Sequence, residues 1–415
     1  MLTTKTPTFD LGAFLKINQN DLLNFPINRS GRRYDFDWLK VVATFTVFIF
    51  HCLRFFDFGA WHVKNNQLDP ISTTVAGLLL QWIMPLFFLL SGTSIYFALK
   101  SRTAGQFLHE RSLRLLIPLL FGIFILSPPQ VYLERLSNPD LGIAPWTGGQ
   151  FSGSFLEFIP HYFQGWYLFG GNFAWMGIHL WYLLVLWLFS LLLLPLFLAI
   201  KQGKGQKLSG KLAIVLEKPM VIFLLGLSIA ILESGLDPAT FGVRAAGGWN
   251  FFTYLTLILL GYIIVADRHL EAGIDRYFIF TLTMAVLTTP LLLAHFRDLF
   301  TGSGAAYGSL NYTLVNALRA FNAWCWLLAF LSLGRKFLDF NHRSLQYLSE
   351  ASLPFYLLHQ PIILLVGFSI SGWQIGVFPK FIVLSLVSFT AIGLCYELIV
   401  RRINLLRFCF GLKLT

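Results

Sequence analysis

Apolar runs of about 20 residues recur along the chain, separated by short polar segments that hold most of its charge. That length spans a hydrocarbon core about 30 Å thick at the helical rise. The pattern predicts ten membrane-crossing helices, at 38–56, 76–99, 113–131, 179–200, 219–235, 249–266, 277–296, 312–333, 352–370 and 377–399. No heptad, internal repeat or low-complexity tract interrupts them, and no linker marks off a second domain. The expected fold class is an all-α polytopic membrane protein, a bundle of about ten transmembrane helices. Residues 1–36 read as a polar N-terminal segment, 37–400 as the membrane domain and 401–415 as a tail. The first 36 residues lack the continuous apolar core of a cleavable signal, so the first span is expected to act as the signal-anchor.

Composition agrees with this pattern. Of 415 residues, 56% are hydrophobic and 12% charged, about half the charged share of a soluble domain. Charge also orients the bundle, because cytoplasmic loops retain Lys and Arg. With the N-terminus inside, six segments and the N-terminal stretch fall on one side and hold about 23 of the 31 Lys and Arg, while the five opposite loops share about six. Both termini are therefore expected in the cytoplasm. The net charge of +11 then reflects topology and attraction to membrane lipids, and no basic, aromatic-interleaved soluble domain is present to bind nucleic acid. The four cysteines, Cys52, Cys325, Cys395 and Cys409, show neither metal nor redox spacing, so no metal site and no disulfide is expected. The outer loop 132–178 is rich in Gly and aromatics, a composition that serves either a sugar-stacking surface or an interfacial belt.

Ionisable groups inside the spans carry the functional signal, since they are costly in lipid. The first span opens on "DFDWLK" and closes on a histidine. Lys40 and His51 are eleven residues apart, which places them on one helix face about 16 Å apart along the axis. Asp37 lies on nearly the same face about 21 Å from His51, too far to orient the imidazole. Ser91 and Gly92 interrupt the second apolar run near mid-membrane. Arg111 and Arg114 stand one turn apart at the inner start of the third. His179 and Trp181 open the fourth, and Glu397 ends the tenth at the inner edge. Arg319 in the eighth span is expected near the depth of His51, and His359 in the ninth about 10 Å above the inner boundary. An Arg that deep needs a partner or water. Together the groups form a ladder across the membrane.

These same segments resemble the membrane acyltransferase family 3. "RRYDFDWLK…FTVFIFH" is similar to its first-helix signature of an Arg followed about ten residues later by a His. "MPLFFLLSGTSIYF" resembles its second-helix Ser-Gly turn and "FLHERSLRLLIP" its basic third-helix start. "HLWYLLVL" and "SEASLPFYLLHQPI" resemble two further blocks, and the likeness runs in order over nearly the whole chain. Lys40 departs from the pattern, standing where the family usually has Arg. Lys keeps the charge but not the planar fork that grips phosphate or carboxylate at two points.

The resemblance implies an integral O-acyltransferase of the cell inner membrane that takes an acetyl or succinyl group from cytoplasmic acyl-CoA. The acceptor would be a carbohydrate hydroxyl, of a glucan or another envelope polysaccharide, at the outer face. Acyl-CoA (acetyl-CoA or succinyl-CoA) is then a donor substrate, with no permanently bound cofactor. CoA carries several phosphate charges, so Lys40, Arg111 and Arg114, with Asp37 beside them, are the candidate donor-binding residues. His51 is the candidate general base, and Arg319 is expected to stabilise the oxyanion. Ser91, His179, Trp181, His359 and Glu397 are candidate residues of the path. The rival reading is a multi-span transporter or exporter of a glycan or small anionic solute, against which the chain shows no halved pseudo-symmetry of broken helices. A purely structural membrane partner has little use for a buried His and Arg.

Overall fold

The computed structural model describes residues 32–137, 149–202, 221–238, 247–301 and 306–414, with backbone alone over 294–301. Among these residues the chain is helical, with one isolated bridge, Trp166 to Phe173, and no strand. In chain order the α-helices are α1 (Tyr34–Arg54), α2 (Pro70–Leu80), α3 (Ile83–Ser101), α4 (Ala104–Phe121) and α5 (Ser127–Leu136). There follow α6 (Phe155–Tyr162), α7 (Trp181–Lys201), α8 (Val221–Gly235), α9 (Phe251–Ala266) and α10 (Arg268–Arg276). The last five are α11 (Phe278–Thr301), α12 (Leu310–Leu333), α13 (Arg343–Ile370), α14 (Val377–Leu394) and α15 (Asn404–Cys409). Single π turns at Gly122–Leu126, Gly334–Leu338 and Cys395–Val400 extend α4, α12 and α14.

Seven helical runs are long and apolar enough to cross a membrane: Tyr34–Arg54, Pro70–Ser101, Ala104–Leu136, Ile178–Lys201, Leu310–Leu338, Arg343–Ile370 and Val377–Val400. They coincide with seven of the ten expected spans. The expected span 249–266 is α9, which bends by 99° into α10 and makes an eighth only if the pair counts as one. Of the remaining two, 219–235 corresponds to the short helix α8 and begins outside the described residues, and 277–296 corresponds to α11, whose described apolar part is Phe278–Leu293.

Helix starts follow local chemistry. Asp69 accepts from the Ser72 amide at α2, Asn250 from the Phe252 amide at α9, and Ser309 from the Tyr312 amide at α12, each meeting an otherwise unpaired N–H. The "LLSGTS" segment expected to interrupt the second span is continuous helix within α3. Its glycine serves close approach instead. A Cβ on Gly92 would press on the Ile258 carbonyl of α9, and one on Gly261 would press on the Leu89 carbonyl of α3. Small residues that let two backbones touch are the usual way to join helices in lipid, where no hydrophobic force favours the pair. Phe88 stacks on Tyr254 beside this crossing at 4.4 Å.

Ion pairs gather the basic segments at one end. Arg33 meets Glu271 at 2.6 Å, Arg335 meets Asp275 at 2.7 Å, and the Tyr34 amide donates to Asp339 at 3.1 Å. Arg407 reaches Glu350 at 3.2 Å, and Arg401 meets Glu397 at 2.9 Å. The opposite end is closed by the loop after α1. There Lys64 is buried and donates to the Arg54 and Gly59 carbonyls and to Asp57. Lys380, also buried, donates to Asn65 at 2.6 Å and to the Trp373 carbonyl at 2.8 Å.

Candidate active site

Three histidines from three segments meet near the C-terminal end of α1. His51 lies one turn before the end of that helix. Its ring is 4.8 Å from that of His359 on α13, and His359 is 5.1 Å from His179 at the start of the fourth span. Backbone carbonyls fix the tautomers, because a carbonyl can only accept. His359 Nδ1 is 2.6 Å from the Tyr356 oxygen, so Nδ1 carries the proton and Nε2 a lone pair. That lone pair is 3.1 Å from His51 Nδ1, which is also 2.9 Å from the Val47 oxygen. His51 Nδ1–H therefore donates to both, and His51 Nε2 is left as the free basic nitrogen. This is the arrangement of a general base oriented by a second group.

His179 is held by a proline. In a helix the amide at 361 would donate to the carbonyl at 357, but Pro361 has none. His179 Nε2–H takes the vacant Leu357 carbonyl at 3.2 Å. Its Nδ1 is buried with no hydrogen-bond partner among the described residues. The sequence "LLHQP" thus supplies both a site imidazole and the exposed carbonyl that orients another. The Tyr356 hydroxyl donates to the His179 carbonyl at 2.5 Å and locks the same segment from the other side.

A polar and aromatic track runs from this cluster toward the basic end. The Tyr356 ring is 6.2 Å from Tyr182, whose hydroxyl is 2.7 Å from Ser91 Oγ. Below it, Arg111 Nε donates to Ser190 at 3.1 Å, while Arg111 Nη2 is buried without a hydrogen-bond partner among the described residues. Lys40 pairs loosely with Asp37 at 3.9 Å, within electrostatic reach of Arg111 and Arg114. The structure therefore brings Lys40, Asp37, Arg111 and Arg114 together at one end, and His51, His179 and His359 together near the other. Tyr182 and Tyr356 lie inside the quoted motifs but carry no sequence signal beyond their aromatic character.

Arg319 is placed differently from the expectation. It is buried on α12, with Nη2 2.5 Å from the Gly248 oxygen, Nε 3.3 Å from Gln81, and its guanidinium 3.9 Å from the Trp249 ring centroid. Glu233 on α8 lies 3.9 Å away and also accepts from the Asn250 amide and the Thr253 hydroxyl. No described contact joins Arg319 to a site histidine. A similar estimated depth fixes only one coordinate, and the partners that hold Arg319 come from the end of α2, from α8 and from the segment before α9. Trp181, two residues after His179, has its ring 5.7 Å from that of Tyr254. Glu397 belongs to the basic end, paired with Arg401 and accepting from Tyr347 at 3.0 Å.

Sequence reasoning missed the acidic partner Glu233 and a histidine–carboxylate pair, His62 with Glu134 at 2.5 Å. A lone acid within the apolar helix α8 was a readable signal for Glu233.

Residues 33–397 match the acyltransferase domain of the acyltransferase 3 family. The chain is also similar to glucans biosynthesis protein C of Shigella dysenteriae serotype 1 (strain Sd197) and of Escherichia coli (strain K12). Each is 25% identical over 397 residues, covering 92% of this chain and 95% of the relative. No solved structure matches it.

Proposed function

The chain belongs to the acyltransferase 3 family, a multi-pass membrane acyltransferase, and on that premise we propose that it moves an acetyl or succinyl group from cytoplasmic acyl-CoA to a carbohydrate hydroxyl at the outer face of the inner membrane. The observation that carries this reading is His51, whose Nε2 is left free by the carbonyl-fixed tautomers around it. We further propose ten spans with both termini inside, which the lysine and arginine distribution supports. The name of these relatives supports a glucan as acceptor.

Lys40, Arg111 and Arg114 attract the CoA phosphates at the inner mouth. Arg111, with a buried and unbonded Nη2, has a donor to offer there. The pantetheine arm follows the Ser91–Tyr182 track and presents the thioester near His51. His51 Nε2 takes the proton of the acceptor hydroxyl as its oxygen bonds to the carbonyl carbon. The resulting imidazolium is stabilised through Nδ1–H by His359 Nε2 and the Val47 carbonyl. The tetrahedral intermediate then collapses, the carbon–sulfur bond breaks, and the CoA thiolate takes the proton back from His51. No net proton is released.

The test is transfer of label from acetyl-CoA and succinyl-CoA to a glucan by the purified protein in nanodiscs. Solute movement across liposomes without any consumption of acyl-CoA would overturn the reading in favour of a transporter.

A further inference from the structure

The His62–Glu134 pair sits at the outer end, beyond the three-histidine site. Glu134, on α5, is fully buried, and the His62 side chain is 13% exposed. His62 Nδ1–H donates to Glu134 Oε2 at 2.5 Å, so in the neutral imidazole Nε2 carries the lone pair. The carboxylate does not need this imidazole. Tyr167 already donates to Oε2 at 2.7 Å and Arg135 to Oε1 at 2.7 Å. Arg135 also fastens the outer segment, through Asn172 at 2.8 Å and the Gly171 carbonyl at 3.0 Å. Structure accounts for Glu134, Arg135 and Tyr167; it leaves His62 as an oriented acceptor.

Its position relates it to the site. The Trp61 ring lies 6.1 Å from the His51 ring and 5.8 Å from the His62 ring, so the two imidazoles are at most about 12 Å apart. A disaccharide spans that distance. The adjoining outer segment exposes Phe163, Trp166 and Phe169, and sugar rings stack on such aromatic faces.

We propose that His62, oriented by Glu134, binds the acceptor: Nε2 accepts a hydrogen bond from one hydroxyl of a glycan while another hydroxyl of the same molecule reaches His51. The ligand class is a neutral, polyhydroxylated chain, since the position offers an acceptor backed by a carboxylate and no free cation among the described contacts. The identity of the reacting hydroxyl rests on the acyl-transfer reading; the binding does not.

The experiment is calorimetric titration of the full-length protein in nanodiscs with glucan oligosaccharides, in the absence of acyl-CoA. His62→Gln should weaken binding about 2- to 10-fold, the loss of one hydrogen bond between neutral groups. Glu134→Gln offers an amide N–H to His62, which drives the proton onto Nε2, and should show a comparable loss. Wild-type affinity in either variant, at normal insertion, overturns the proposal, as does a wild-type protein that binds no oligosaccharide. A wild-type protein that binds oligosaccharide through His62 yet consumes no acyl-CoA overturns the acyl-transfer reading alone.

Discussion

Substituting alanine for Gly92 tests whether the bundle depends on direct backbone contact between α3 and α9. A Cβ there would press on the Ile258 oxygen and sit 2.9 Å from the Tyr262 nitrogen. Ordinary contacts are about 3.5–4.0 Å, so the two helices must part by about 1 Å. The clashing atoms are backbone and cannot rotate aside. A gap of that size forfeits about a quarter to a half of each contact across it, including the Phe88–Tyr254 stack at 4.4 Å. Overpacking costs about 1–3 kcal/mol in general, and this geometry belongs at the upper end, about 3 kcal/mol. The apparent Tm in detergent, read by fluorescence size-exclusion, should fall by about 3–5 °C. Gly261→Ala pushes on the Leu89 carbonyl across the same crossing and should cost as much. Because both force one separation, the double variant should cost little more than either single. Gly105, near the start of α4 with nothing within 4 Å of a new Cβ, is the control, and Gly105→Ala should be neutral or slightly stabilising. A Gly92→Ala protein as stable as Gly105→Ala, or full additivity in the double variant, would refute the reasoning.

Three further outcomes are expected. Lys40→Ala should raise the KM for acyl-CoA and leave kcat nearly unchanged, since a cation about 16 Å down the helix from His51 contacts the donor equally in ground and transition states; a fall in kcat at unchanged KM would assign the charge to chemistry. Reporter fusions at 205, 270 and 340 should read cytoplasmic and those at 145 and 303 external, and a swap at any of them breaks the proposed topology. Burial pulls the Lys64 ammonium down to about 8, with Asp57 opposing it. Between about pH 8 and 10.5 the unfolded chain holds a proton that the folded chain has released, so stability from this group rises with pH across that window. Comparing apparent Tm at pH 7.5 and 9.5, Lys64→Met should flatten that rise, and an identical slope in both proteins would contradict it.

Much of the bundle was legible because lipid imposes a single requirement, about 20 apolar residues per crossing. The places where the expectation and the structure part share a physical reason. α8 and α9 are short, and α9 turns sharply into α10, so apolar length alone does not give the shape of these segments. Gly92 was readable as a special position but not as a contact, because its partner, Ile258, lies in another span. His51 and His359 each stood out as ionisable groups in apolar helices, yet nothing in either segment says that α1 and α13 bring them to 3.1 Å. Arg319 announced its need for a partner. Glu233, Trp249 and Gln81 answer it from segments far apart in sequence. The tautomers of the site depend on Pro361 and on the carbonyls of Tyr356, Leu357 and Val47, which become visible only once the helices are packed.

The central claim is that His51 Nε2 is the base that activates the acceptor. Initial rates of label transfer from acetyl-CoA and succinyl-CoA to glucan oligosaccharides should be compared for the wild-type and His51→Ala proteins in nanodiscs, at matched insertion and saturating donor. The account predicts loss of transfer by about 10²- to 10⁴-fold with the KM for acyl-CoA unchanged, the contribution of one positioned base. Near-normal transfer by His51→Ala would contradict it.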